Sequence, residues 1–262
     1  MLVNNKTSLY LSCSSSPGNF GATLYNYFFE KYNINSIYFP RHCENPDEMI
    51  ASIKTLNCLG CSVSMPLKNK VIPFLDELSD DAKISQSVNT IVNRNGWTTG
   101  HNTDIYGVTK VLQNIKVKKV IIYGSGSVVD SIVVALKSIN VDLISINSRN
   151  ALMAAEKSRF HNINLLEDIR SISTHYDLLI NATPAAYDGD LRVLFDNASI
   201  IFDLVVSSIE TDIISAAKNS GKSFFSGIEM TKYQFQKQFF IYTGIEIEIK
   251  EIDYALDNFF VK

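Results

Sequence analysis

Nowhere in these 262 residues does an apolar run approach the roughly 20 residues that a membrane-spanning helix needs. The stretch from Met1 to Ser16 lacks a basic segment followed by a long apolar one, so no secretion signal is expected and the expected location is cytoplasmic. Excess charge is missing as well: 24 Lys and Arg stand against 27 Asp and Glu, a formal net charge of -3. That balance offers no basic face to nucleic acid or to an anionic membrane, and neither partner is expected. Cysteine is sparse, at four residues, and in a cytoplasmic chain of this size all four are expected to be reduced. Cys58-Leu59-Gly60-Cys61 is formally a C-x-x-C, and with His42 and Cys43 a zinc site could be drawn. A second such pair is lacking, and Cys61 opens what reads as a buried strand. Small buried hydrophobes are therefore expected, and no metal. Internal repeats and low-complexity segments are absent.

What is present suffices for a folded core: 46% of the residues are hydrophobic and 19% charged. The length fits one large domain or two modest ones. Leu9 to Ser12 reads as a strand ending in a polar turn from Cys13 to Gly18. Phe20 to Lys31 has helical apolar spacing. Ser36 to Phe39 is a strand, Pro46 to Leu56 a helix with Asn45 as its cap, and Gly60 to Ser64 a third strand. Lys70 to Glu77 and Ser79 to Ile84 read as short helical pieces. Thr90 to Val92 and Trp97 to Gly100 flank Asn95-Gly96, a two-residue hairpin signal. Ile105 to Gln113 reads as a helix. From Lys118 the pattern alternates: strand Val120 to Tyr123, helix Val128 to Ser138, strand Leu143 to Asn147, helix Ala151 to Arg159. Strands at Tyr176 to Ile180, Ser199 to Asp203 and Ser223 to Phe225, with a helix from Thr211 to Ser220, continue it. This alternation predicts a parallel, doubly wound sheet. Met230 to Tyr242 and Glu251 to Phe260 read as helices.

Three polar motifs stand out before the alternating part: Ser62-Val63-Ser64-Met65-Pro66-Leu67-Lys68, Ser87-Val88-Asn89-Thr90 and His101-Asn102-Thr103-Asp104. A lysine and a carboxylate among hydroxyl and amide groups can bind a polyol and move a proton. The first and the last also have a plainer reading. Lys68 could be a surface lysine before a helix, and Thr103 or Asp104 could simply cap the helix that follows. His101 reads as loop, and His161 and His175 show no ligand spacing.

Gly124-Ser125-Gly126-Ser127-Val128-Val129 follows a strand and opens a helix. Glycines there permit a tight turn and let backbone N–H groups approach a pyrophosphate at the helix N-terminus. The third glycine of the usual fingerprint is replaced by Val129, so an ordinary strand–helix turn remains an alternative. The second strand ends at Ser148-Arg149-Asn150, where an NAD enzyme usually carries an acid for the ribose 2′-hydroxyl. Arg149 suits the 2′-phosphate of NADP instead, unless it is a solvated surface arginine.

In this order the motifs resemble the shikimate dehydrogenase family, over nearly the whole chain. Ser14-Ser15-Ser16-Pro17 is similar to its N-terminal substrate loop and Ser62 to Lys68 to its lysine motif. Ser87 to Thr90 and Asn102-Thr103-Asp104 resemble two further substrate-contacting segments. Asn181-Ala182-Thr183 resembles the loop near the nicotinamide. Gly227-Ile228-Glu229-Met230, with Gln234, resembles the closing C-terminal segment. Ser-Val-Ser-Met-Pro in place of Asn-Val-Thr-x-Pro resembles the shikimate dehydrogenase-like branch. Other departures are Cys13 for a histidine, Ser127 for a common glycine, Ser148-Arg149-Asn150 for Asn-Arg-Thr with no second basic residue nearby, and Val206 where a substrate-contacting tyrosine should fall.

The resemblance implies a two-lobe α/β fold. Residues 1–105 would form a substrate-binding domain and 106–228 a Rossmann-type, doubly wound NADP-binding domain. Residues 229–262 would be helices returning to the first lobe, with the active site in the cleft between lobes. It implies an NADP-dependent alcohol dehydrogenase of aromatic amino acid biosynthesis, acting on shikimate or a related cyclic polyol acid. Lys68 and Asp104 would be catalytic. Ser14, Ser16, Ser64, Asn89 and Gln234 would hold substrate. Gly124, Ser125, Gly126, Ser127, Val128, Ser148, Arg149, Asn150, Thr183, Leu204 and Gly227 would hold NADP. A quinate or other hydroxy-acid dehydrogenase of the same branch, or an NADPH-sensing module with little turnover, are the alternatives. The sequence leaves the oligomeric state open.

Overall fold

The computed structural model describes residues 3–184, 186–187, 189–207 and 209–259. Two compact units divide the chain: Met1–Thr103 with Gln234–Lys262, and Asp104–Tyr233. Each is built on its own six-stranded sheet.

The first unit carries β1 (Ser8–Ser14), β2 (Ser36–His42), β3 (Gly60–Val63), β4 (Glu77–Leu78), β5 (Thr90–Arg94) and β6 (Trp97–His101), in the order β2-β1-β3-β5-β6-β4. β1 pairs parallel with β2 and β3, and β5 runs antiparallel to β3 and β6. The sheet is thus mixed. Helix α1 (Phe20–Lys31) buries Leu24, Tyr25, Phe28 and Phe29, one face at helical spacing. Helix α2 (Pro46–Thr55) starts as its sequence dictates: Asn45 Oδ1 accepts from the Asp47 and Glu48 N–H groups, and Pro46 fills the first turn. Asn95 and Gly96, both at positive φ (53° and 89°), turn β5 into β6.

Three elements here differ from expectation. Cys13 and Ser14 belong to β1 rather than to a turn, and β2 runs on to His42. Of the helical piece expected over Lys70 to Glu77 only a single 3-10 turn, Ile72–Phe74, exists. Pro73 explains it, since proline removes a helix donor and disfavours helical backbone in the residue before it. Glu77 and Leu78 instead pair with Thr99 and Gly100. A helix does follow, α3 (Asp80–Ser85), with Ser79 as its cap.

The second unit opens with α4 (Asp104–Leu112) and contains β7 (Lys119–Tyr123), α5 (Val128–Ser138), β8 (Leu143–Asn147), α6 (Ala151–His161), β9 (Asn164–Leu165), β10 (Tyr176–Asn181), α7 (Gly189–Asp196), β11 (Ala198–Asp203), α8 (Asp212–Asn219) and β12 (Ser223–Ser226). Its order is β12-β11-β10-β7-β8-β9, every pairing parallel. This is the doubly wound, Rossmann-type arrangement: chain order runs outward from β7 on both sides, so the topology reverses between β7 and β10. Leu178, Ile180, Val120, Ile122 and Ile146 are buried on one face of the sheet against Val129, Ile132, Val133 and Leu136 of α5. Helix α7 and strand β9 are not among the elements that the sequence pattern predicts. Leu191, Leu194 and Phe195, all buried, had the right spacing for α7; β9 is too short for any pattern.

The last helices are α9 (Gly227–Thr243) and α10 (Ile249–Phe259). From Gln234 onward they belong to the first unit, where Phe235 and Phe239 pack on Tyr25 and Phe28, and Glu251 pairs with Lys31. The expected end of α10, Phe260, lies outside the described residues.

Candidate active site

Four segments far apart in sequence meet at one end of the first sheet. Ser64 N–H donates to the Cys13 carbonyl (3.0 Å) and Ser15 N–H to the Met65 carbonyl (3.2 Å), joining the serine loop to the lysine motif. Val63 N–H donates to the Asn89 carbonyl and Val88 N–H to the Lys68 carbonyl, both at 2.8 Å. Asn89 N–H donates to the His101 carbonyl (3.1 Å). The Asn89 side chain then receives Thr103: its Oδ1 accepts from Thr103 N–H (3.0 Å) and from the Thr103 hydroxyl (3.1 Å). Asn102 Nδ2 donates to the Ser85 hydroxyl and to the Ser87 carbonyl. Thr103, in the cap position of α4, thus gives its hydroxyl hydrogen to Asn89. Asp104, the first helical residue, is buried.

The expected substrate residues differ in exposure. Ser14 and Asn89 are buried, Lys68 and Gln234 half-buried, Ser16 and Ser64 exposed. In the sequence His42 stands with Cys43, Cys58 and Cys61 as a conceivable metal set. The structure pairs it with Ser14 across β1 and β2 and sets its Nδ1 2.8 Å from the Ser15 carbonyl. It therefore fastens the serine loop. Cys13, Cys58 and Cys61 are buried, and a hydrogen bond to Cys13, then burial, pushes the Cys61 thiol well up. Among the described residues no group of three or more His, Cys, Asp or Glu could hold a metal ion. His101 is not loop but the last residue of β6, and burial holds its imidazole below the ordinary value.

In the second unit the expected nucleotide residues gather at the carboxyl ends of the parallel strands. Gly124 N–H donates to the Asn147 carbonyl (2.8 Å) and Ala182 N–H to the Tyr123 carbonyl (2.8 Å). The Ser125 and Ser148 hydroxyls meet at 2.9 Å, tying the glycine turn to the segment that bears Arg149. Ser148 Oγ accepts from Asn150 N–H, and Asn150 caps α6 through Met153 N–H. Arg149 itself is exposed. Asn181 Oδ1 accepts from Thr183 N–H and hydroxyl, while its Nδ2 donates to the buried Asp203. Gly227 lies against the loop after β11: a Cβ there would stand 2.5 Å from the Leu204 carbonyl oxygen. Glu229 accepts from Ser226 N–H and so fixes the start of α9.

The two glycines of the Gly124–Ser127 turn differ in their surroundings. Gly124 has φ +136°, and a Cβ there would meet the Ala182 carbonyl oxygen at 2.8 Å. A Cβ at Gly126 would meet nothing within 4 Å, so that glycine answers to no neighbour in the fold. Ser127, at the cap position of α5, makes no capping bond with its side chain, so the first N–H groups of the helix are not closed off by it. One feature opposes an anion, the buried Asp130 in the first turn of α5. Lys157 offsets it with bonds of 2.8 and 2.7 Å, and His161 Nε2 lies 2.9 Å from the same carboxylate. No local pattern points to this triad, since Lys157 and His161 stand 27 and 31 residues beyond Asp130.

The chain is similar to known proteins over most of its length. The family described as "Shikimate dehydrogenase substrate binding domain" matches residues 11–91. A "Shikimate dehydrogenase-like protein" of Haemophilus influenzae is 34% identical over 256 residues, covering 92% of this chain and 93% of the relative. A "Shikimate dehydrogenase (NADP(+))" of Pelagibacter ubique is 36% identical over 238 residues, 86% of this chain and 89% of its own. Among solved structures, a shikimate 5-dehydrogenase-like protein superposes with a TM-score of 0.86 at 31% identity, covering 98% of both chains. A shikimate dehydrogenase in complex with NADP+ superposes with a TM-score of 0.83 at 25% identity, over 98% of this chain and 97% of that one. The chain belongs to the shikimate dehydrogenase family.

Proposed function

We propose that the protein is an NADP-dependent oxidoreductase that interconverts shikimate, or a closely related cyclic polyol acid, and the corresponding ketone. The observation that carries this reading is the convergence of Ser14–Ser16, Ser62–Lys68, Ser87–Thr90 and His101–Thr103 at one end of the first sheet. In this reading the first unit binds substrate and the second NADP. Ser14 and Ser16 bind the carboxylate. Ser64, Asn89 and Gln234 bind ring hydroxyls. Lys68 takes the hydroxyl proton during oxidation and returns it during reduction, and Asp104 binds a substrate hydroxyl. NADP, when bound, accepts or supplies the hydride. The open face at Gly126, the N-terminus of α5, Ser125, Ser127, Val128 and the Ser148–Asn150 segment receive its phosphates, with Arg149 on the 2′-phosphate. Thr183, Leu204 and Gly227 support the nicotinamide end.

Purified protein assayed with shikimate or quinate and each nicotinamide cofactor tests the reading directly. Turnover of shikimate with NADP is expected, and NAD should serve less well. Arg149→Ala should weaken NADP binding by about 1.5–3 kcal/mol, the scale of charge-assisted hydrogen bonds, and leave NAD nearly unchanged. Equal losses for both cofactors would assign Arg149 to the fold. No turnover of any cyclic hydroxy acid would overturn the enzyme reading in favour of an NADPH-sensing module.

A second substrate is favoured by Val206, 50% exposed, at the place expected for a substrate-contacting tyrosine. A missing hydroxyl contact is worth about 0.5–3 kcal/mol. Val206→Tyr should therefore lower KM for shikimate. A well-folded variant with unchanged shikimate kinetics would point to quinate or another hydroxy acid shaped to an apolar wall.

A further inference from the structure

A chain of buried and partly buried hydrogen bonds runs through the first unit to the Asn89 side chain. The Tyr38 hydroxyl donates to Ser62 Oγ (2.7 Å), and Ser62 Oγ donates to Gln238 Oε1 (2.9 Å). The Tyr25 hydroxyl donates to the same Oε1 (2.7 Å). Gln238 Nε2 donates to the Asn89 carbonyl (3.2 Å) and to Thr90 Oγ1 (2.5 Å). Thr90 Oγ1 donates to Asn89 Oδ1 (2.7 Å). Asn89, Thr90 and Gln238 are all buried.

The direction of every bond follows from two backbone groups. The Asn89 carbonyl can only accept, so the Gln238 amide must turn its nitrogen there. Thr90 then receives an N–H and must pass its own hydrogen on to Asn89. At the far end Thr103 N–H can only donate, so the Asn89 atom that meets it is Oδ1. Both ends of the relay agree, and the Asn89 amide is held in one orientation. Burial pushes the Tyr25 and Tyr38 phenols up, which keeps them protonated donors.

We propose that Gln238 is a positioning residue for substrate binding: through Thr90 it joins Thr103 in fixing which end of the Asn89 amide is presented to a substrate hydroxyl. This rests on the shikimate reading above, which gives Asn89 its role. Ser62 stands at the other side of the same amide and acts with it.

The test is a double-mutant cycle. Gln238→Leu and Thr90→Val each break the relay, and the second is isosteric, so it serves if the first fails to fold. Each should raise KM for shikimate about tenfold, the worth of one buried hydrogen bond, with kcat within about threefold and KM for NADP unchanged. The double variant should be no worse than either single one, because both cut the same path. Thr90→Ser, which keeps the hydroxyl, should restore KM to within about twofold. An unchanged KM in folded Thr90→Val, or additive losses in the double variant, would overturn the proposal. A readout free of turnover separates it from the functional reading: the side-chain NH2 signal of Asn89 in protein labelled with 15N-asparagine, assigned with Asn89→Asp. Movement of that signal in both single variants supports the relay even if the wild-type protein ignores shikimate. A signal that stays put in both overturns the relay even if shikimate is turned over.

Discussion

Lys68→Ala should lower kcat for shikimate oxidation by about a hundredfold or more, the scale of lost general acid–base catalysis. A hundredfold corresponds to about 2.7 kcal/mol of transition-state stabilisation. The backbone at Lys68 is held by Val88 N–H at 2.8 Å, a bond that any residue at position 68 can keep. The substitution should therefore remove the amine without disturbing the loop, and KM should change less than kcat. Lys68→Arg separates charge from proton transfer. A guanidinium keeps the positive charge but does not release a proton in the accessible range, so this variant should be nearly as slow as alanine. Near-normal kcat in the alanine variant would take Lys68 out of the chemistry. Near-normal kcat in the arginine variant alone would make its role electrostatic.

Two neighbouring glycines should respond in opposite ways. Gly124→Ala forces a side chain into a backbone conformation that L-residues rarely adopt, at φ +136°, and sets its Cβ 2.8 Å from the Ala182 carbonyl oxygen. Strain of about 1–3 kcal/mol and overpacking of similar size predict a loss near 3 kcal/mol of stability. Denaturant unfolding would read it directly. Gly126→Ala meets nothing within 4 Å, so its stability should stay within about 0.5 kcal/mol of the wild type. If the open space at Gly126 is where a pyrophosphate approaches the backbone, the added methyl group should instead weaken NADP binding by about tenfold or more, seen as a raised Kd by fluorescence titration. Unchanged cofactor affinity in Gly126→Ala would move the phosphates away from this turn. An undiminished stability in Gly124→Ala would mean that the turn relaxes to an ordinary conformation.

In the sequence Gly124 and Gly126 belong to one fingerprint with equal weight. Only the neighbouring strand β10, whose Ala182 carbonyl abuts Gly124, distinguishes a glycine kept by the fold from one that the fold does not require. Val129 supports the same point. It replaces the third glycine of the motif, and the structure buries it in the core under the sheet.

Local elements were determined by the sequence itself wherever the deciding interactions lie within a few residues. Helix α1 and the cap of α2 at Asn45 follow from side-chain spacing and from a side chain that reaches its own first turn. The Asn95-Gly96 turn follows from residues that accept positive φ, and the parallel second sheet from the alternation of strand and helix. Tertiary structure alone decided the rest. Strands β4 and β9 exist because a paired neighbour supplies their hydrogen bonds, not because two residues carry a pattern. Lys157 and His161 find Asp130, His42 finds the Ser15 carbonyl, and Gln238 finds Asn89 across 149 residues of chain. A buried polar group must be paired, but its choice of partner is made by whichever segments the folded core brings within about 3 Å, and no local pattern encodes that choice.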